Sequence, residues 1–166
     1  MPAFSRRDST LQTLFDSDEL TVLGMLVGEL IELLSPLCPH TSDEIFTEPP
    51  PFWRQDPALN RLFPDAYADD EAASAEFSRY TMADQTLAKT DAANLVLTDL
   101  GAAEDGLVSV PPDHIEAWLI TLTNLRLVLA ERMGIDNIAE ANSMDHPTAA
   151  VYTWCGLILD SMVQLL

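Results

Sequence analysis

The stretch Asp16–Leu34, DSDELTVLGMLVGELIELL, decides the fold. Leu20, Leu23, Val27, Leu30 and Leu34 step by 3, 4, 3 and 4 residues, which is one face of an α-helix. Asp16, Ser17 and Asp18 precede it as N-cap candidates, so the spacing predicts a helix from about Glu19 to Leu34. Val22, Met25, Leu26, Ile31 and Leu33 are apolar too, which makes the helix greasy on most sides and places it centrally in a core. Gly24 and Gly28 each cost about 1 kcal/mol in a helix relative to Ala, and close approach by another helix is the expected compensation.

The same arrangement recurs further on. Leu107–Val110 reads as a short strand, followed by Pro111, Pro112 and Asp113, then a helix in which Ile115, Trp118, Leu122, Leu125 and Leu129 repeat the spacing. Laying Phe15 on Val110 and Asp18 on Asp113 aligns the two stripes, although any two amphipathic helices with acidic caps align about as well. If the repeat is real, Leu11–Phe15 is the counterpart strand. The two strands should then pair into a ribbon, because an isolated strand leaves its backbone groups unsatisfied. A third stripe, Val151, Cys155, Ile158, Met162 and Leu165, predicts a last helix from about Pro147 to Leu166. The expected fold is mostly α: a helical bundle with a minor two-stranded β ribbon, Leu11–Phe15 with Leu107–Val110, in a single domain over residues 1–166.

Between these units lies a proline-rich irregular segment, residues 35–70, holding seven of the eleven prolines. Proline removes donors and breaks helices, so short helical turns near Ser42–Phe46 and Pro57–Phe63 are the most expected there. Asp69, Asp70 and Glu71 then open a helix to about Leu100, with acids suited to the positive end of its dipole. Phe77, Tyr80, Leu87 and Leu95 mark its apolar side, interrupted by Asp84 and Asp91, which predicts an incompletely buried helix or an internal polar pairing. Gly101–Gly106 and Gly134–Asp145 read as loops.

Composition excludes several functions. The chain has 166 residues, 27 acidic against 8 Lys and Arg, for a net charge of −19. A nucleic-acid binder neutralising about 6–10 phosphates needs that many clustered cations. Here they are scattered, and Arg6-Arg7 is the only adjacent pair, so direct nucleic-acid contact and an anionic membrane surface are both disfavoured. A basic protein surface is favoured as partner. No signal-peptide pattern and no 18-residue uncharged apolar window is present, which predicts a soluble, cytoplasmic protein. So much apolar helix also allows a homodimer.

Chemistry-bearing residues are few. Cys38, His40, Asp43 and Glu44 place a thiol, an imidazole and two carboxylates within seven residues, a set able to ligate zinc, but no second ligand pair follows at recognisable spacing. His114 and His146 read as cap or turn residues. No nucleophile elbow, Walker-type loop or dinucleotide fingerprint occurs, and no cofactor is expected. Cys38 and Cys155 are the candidate redox thiols, with Cys155 on an apolar stripe and Cys38 the more accessible. Arg126 falls on the shoulder of its helix stripe, where a half-buried guanidinium calls for a carboxylate from Asp84, Asp91, Glu29 or Asp160. Phe52, Trp53 and Phe63, with the acids Asp69, Asp70 and Glu71, form the candidate interaction surface. The leading expectation is a non-catalytic protein that contacts other proteins; the alternative is an enzyme or metal site at Cys38, His40 and Asp43.

Taken together, Asp56–Tyr67 (DPALNRLFPDAY), Ala117-Trp118-Leu119, Asn124–Leu129 and Val151–Trp154 resemble an actinobacterial family of unknown function encoded beside the Clp protease adaptor. The resemblance spans the chain in order. It implies a role in transcriptional or proteolytic control, with a sigma factor or a proteolysis component as partner. One branch comprises AosR-type oxidative-stress regulators that act through a disulfide between closely spaced cysteines. This chain has no C-x-x-x-C pair, so that device does not carry over residue by residue.

Overall fold

The computed structural model describes residues 2–39, 51–134 and 147–166. In chain order the elements are strands β1 (Ser5–Arg7) and β2 (Thr10–Leu14), helices α1 (Ser17–Leu34), α2 (Pro57–Leu62) and α3 (Glu71–Gly101), strand β3 (Leu107–Val110), and helices α4 (Ile115–Met133) and α5 (Pro147–Val163). The architecture is a helical bundle with a small antiparallel sheet. Single 3-10 turns at Ser35–Leu37, Pro51–Gln55 and Pro112–His114 link the parts.

The expected ribbon forms, with Leu11 opposite Val110 and Thr13 opposite Val108. Side chains alternate across it: Leu11, Thr13, Phe15, Val108 and Val110 point inward, while Leu14, Leu107 and Ser109 face out. The sheet has three strands rather than two, because Ser5–Arg7 pairs along the free edge of β2. That strand is wholly exposed, so no apolar alternation announces it. Gly106 is required where β3 begins. Its φ is +83°, it accepts a hydrogen bond from the Phe15 N–H at 2.9 Å, and a Cβ there would sit 2.2 Å from the Phe15 carbonyl oxygen.

α1 starts with the cap that its sequence specifies. Asp16 Oδ1 accepts from the backbone N–H groups of Asp18 and Glu19 at 2.9 and 2.8 Å, and Glu19 Oε2 accepts from the Asp16 N–H at 3.0 Å. This reciprocal capping box satisfies donors that a helix start otherwise leaves open. Leu23, Val27, Leu30 and Leu34 are buried, as the stripe predicts. α1 is nonetheless peripheral: it packs on α3 and touches α4, and Met25 is 59% exposed. The close approach expected at Gly24 and Gly28 is absent, with nothing within 4 Å of a Cβ at either, because both lie off the buried stripe. By length and composition Ser17–Leu37 is apolar enough to cross a membrane, at a mean hydropathy of 1.7. Here its stripe packs into the core and Glu29 pairs with Arg132 of α4 at 3.2 Å.

The central helix is α4, which packs against α1, α2, α3 and α5. Trp118, Leu122, Leu125, Val128 and Leu129 are buried along it, each contributing about 1.5–3 kcal/mol of apolar burial. An edge-to-face aromatic chain ties the sheet to the bundle: Trp118 to Phe4 at 5.7 Å, Phe4 to Phe15 at 6.5 Å, and Phe15 to Trp154 at 6.0 Å. On α5, Cys155, Ile158 and Met162 are buried as expected.

α3 buries a different face from the expected one. Phe77, Tyr80 and Leu95 are exposed, whereas Met82, Ala83, Thr86, Ala92, Ala93, Val96 and Asp99 face inward. Small residues let α3 lie close to α1 and α4, and Thr86 returns its hydroxyl proton to the Met82 carbonyl at 2.7 Å. Asp84 and Asp91 stay at the surface; the internal polar pairing falls on Asp99 instead.

Candidate functional site

The expected helical turn at Pro57–Phe63 forms as α2, with Pro57 at its start and Asp56 Oδ1 accepting from the Ala58 N–H at 2.9 Å. It carries the aromatic residues inward. Trp53 and Phe63 are each only 4% exposed, stacked edge to face at 6.2 Å, which corrects their expected place on an interaction surface. Burying two large aromatic side chains outweighs the irregularity that seven prolines impose on this connection. Arg54 and Lys89 cover them, with Arg54 Cζ 4.8 Å from the Trp53 ring and Lys89 Nζ 5.4 Å from the Phe63 ring. Burial holds the Lys89 ammonium below its usual pKa. The side chain of Phe52 lies outside the described residues, as do His40, Asp43, Glu44, His146, the turn expected at Ser42–Phe46 and the loop leading to Pro147.

The acids of the predicted surface remain exposed. Asp69, Asp70 and Glu71 lead into α3, and Asp70 Oδ1 caps it by accepting from the Ala73 N–H at 3.0 Å. Between Glu71 and Thr81 only Ser74 is buried, so the first turns of α3 are largely exposed. Ser74 holds the entry to the helix: its hydroxyl donates to the Tyr67 carbonyl at 2.7 Å and accepts from the Tyr67 N–H at 3.0 Å. Tyr67 thereby packs edge to face on Phe77 at 6.4 Å, with both rings exposed. Tyr80 stands nearby on the same helix under Arg79, whose Nη2 donates to the Tyr80 hydroxyl at 3.1 Å. The sequence reading missed this aromatic set by assigning Phe77 and Tyr80 to the buried side.

The thiols do not meet. Cys38 is half-buried beside the Thr90 hydroxyl at 3.5 Å, Cys155 is fully buried, and neither forms a disulfide. Burial pushes the Cys155 thiol up to about 12, with the positive charge of Arg126 pulling the other way, so it stays protonated and a poor nucleophile at neutral pH. Arg126 lacks the carboxylate expected for it: no ion pair reaches it among the described residues. Its guanidinium lies 4.5 Å from the Tyr152 ring centroid and covers Gly156, where a Cβ would approach within 3.3 Å. The aromatic face supplies the attraction, while Nε is buried without a partner.

The buried carboxylate at Asp99, 7% exposed, gathers two partners from the α4 entry. Trp118 Nε1 donates to Oδ2 at 2.8 Å, and His114 Nδ1 lies 2.9 Å from Oδ1. His114 stands in a turn as expected, at the N-cap position of α4, but its ring reaches Asp99 instead of capping the helix. Asp99 also satisfies an indole that would otherwise be buried without an acceptor. Among the described residues no group of three or more His, Cys, Asp and Glu side chains converges as a metal site.

With that geometry in place, the whole chain, residues 1–166, matches the model of a domain of unknown function, DUF2017. The chain belongs to the DUF2017 family. No curated protein and no solved structure matches it.

Proposed function

We propose that the protein is a non-catalytic interaction protein, working in transcriptional or proteolytic control through a protein partner rather than by direct DNA contact. The observation that carries this reading is the start of α3: Tyr67, Phe77 and Tyr80 held exposed beside Asp69, Asp70 and Glu71. Aromatic side chains supply large contact area at little entropic cost, and the acids steer a basic surface towards them. The Ser74 clamp fixes the approach to the helix before binding, which reduces the ordering cost of association. A net charge of −19 opposes phosphate backbones and favours a basic protein partner. The alternative metal or enzyme reading at Cys38, His40 and Asp43 draws no support from the described residues, of which Cys38 alone is one.

A photo-reactive phenylalanine analogue placed at Phe77, and separately at exposed Thr123 on α4, tests the proposal in the native cytoplasm. Adducts to one protein from position 77 and none from 123 are expected, lost when Asp69→Lys reverses the charge. Equal labelling from both positions, or adducts only to nucleic acid, would falsify it.

A further inference from the structure

A second surface lies between the start of α1 and the start of α5. There a groove of about 300 Å³ is lined by Asp16, Asp18, Glu19 and Val22 on one side and Ala150, Val151 and Trp154 on the other. We infer that this groove docks a basic, apolar segment of a partner protein, one Lys or Arg beside an aliphatic or aromatic side chain. The inference shares the reading of the protein as a binding module but does not rest on the α3 surface.

The floor is hydrocarbon. Trp154 packs edge to face on Phe15, and its Nε1 is buried away from solvent, so the groove meets only the carbon part of the indole. Val22 and Val151 complete a surface suited to one or two large apolar side chains. The rim is acidic. Asp16 uses Oδ1, and Glu19 uses Oε2, to cap α1, and among the described residues no Lys, Arg or His pairs with Asp16, Asp18 or Glu19. Three carboxylates on four consecutive positions thus meet an apolar floor, with no cation set against them among the described residues.

Charge and shape choose the occupant. A second copy, a nucleic acid or an anionic lipid surface would bring further negative charge to that rim. A small amine would engage the acidic rim and leave the apolar floor of Val22, Val151 and Trp154 unfilled. A protein segment satisfies both halves: its cation sits on the rim in charge-assisted hydrogen bonds, and the neighbouring side chain fills the floor.

Random short peptides displayed on phage and panned against the whole chain provide the test. Two variants read the groove: Ala150→Trp, which fills it from an exposed position, and Asp18→Lys, which reverses the rim without touching the capping hydrogen bonds. Circular dichroism and the melting temperature establish that both fold. Recovered peptides are expected to pair a Lys or Arg with an adjacent large apolar residue, and to lose about tenfold or more in affinity for each variant and in higher salt. Peptides without basic enrichment, peptides that bind both variants as well as the parent, or no enrichment at all would each overturn the inference. Peptides lost with Phe77→Ser but kept by both variants overturn it too, and leave the α3 reading standing.

Discussion

The two strand-to-helix junctions begin with similar sequence and close in different ways. From β2 into α1, the side-chain hydrogen bonds that cap the helix all lie between Asp16 and Glu19. From β3 into α4, a 3-10 turn at Pro112–His114 intervenes and no side chain caps the helix. The His114 ring and the Trp118 indole turn instead to Asp99 near the end of α3. The first junction is solved by neighbours in sequence, and water can replace any one of its bonds. The second is solved by three elements meeting at a buried carboxylate, where losing a partner leaves a desolvated polar group unpaired.

That contrast orders the effects of mutation. Trp118→Ala removes the largest fully buried side chain and should cost about 3–5 kcal/mol of unfolding free energy, read by denaturant titration. Asp99→Ala leaves the ring in place but strips its acceptor, and about 2–3 kcal/mol is expected. In a Trp118→Phe background the same substitution should cost clearly less, because the indole donor is already gone. If the Asp99 loss is unchanged there, the node is not what holds the second junction.

Asp16→Ala should cost only about 1 kcal/mol, and Asp16→Ser should recover most of it, since a hydroxyl can accept the same backbone protons. A loss as large as that of Asp99→Ala would erase the distinction between the junctions. Gly24→Ala should go the other way and raise stability by about 0.5–1 kcal/mol, as helix propensity improves and nothing crowds the new methyl. A loss in its place would show that something packs on this face in solution, a second copy being the first to check by sedimentation.

The effect that is smallest near neutral pH concerns Cys155. Burial raises its pKa in the folded chain from an ordinary 9 to about 12. Below pH 9 the thiol is protonated in folded and unfolded chains alike, so its share of stability is fully present. As pH rises from 9 towards 12 the unfolded chain ionises first and stability declines. Cys155→Ser should remove that alkaline decline, and a thiol reagent near neutral pH should label Cys155 only after denaturation.

The bundle was legible because its helices carry large apolar residues at regular 3- and 4-residue steps, and the ribbon because its strands alternate. α3 misled because hydropathy weighs size. Beside Met82 and Val96 its buried face holds the small residues Ala83, Thr86, Ala92 and Ala93, while Phe77, Tyr80 and Leu95 are exposed. The proline-rich connection misled in the opposite sense: irregular backbone at Pro51–Gln55 still delivers Trp53 to the core. Of the expected interaction surface, the acids Asp69, Asp70 and Glu71 are exposed, Trp53 and Phe63 are buried, and Tyr67, Phe77 and Tyr80 are the aromatic residues exposed near those acids.

The amino-acid order by itself determined the main helices and the paired strands β2 and β3, though not the exposed β1, as well as where α1 is capped and the negative charge that opposes phosphate. Those properties depend on residues a few positions apart or on simple sums. Tertiary structure alone decided that α4 rather than α1 is central, that Asp99 is an interior acceptor, that Arg126 lies on Tyr152, and that Asp16, Asp18 and Glu19 face Val151 and Trp154 across a groove. Each of these depends on which residues from distant parts of the chain share one desolvated space, and a local pattern carries no record of that.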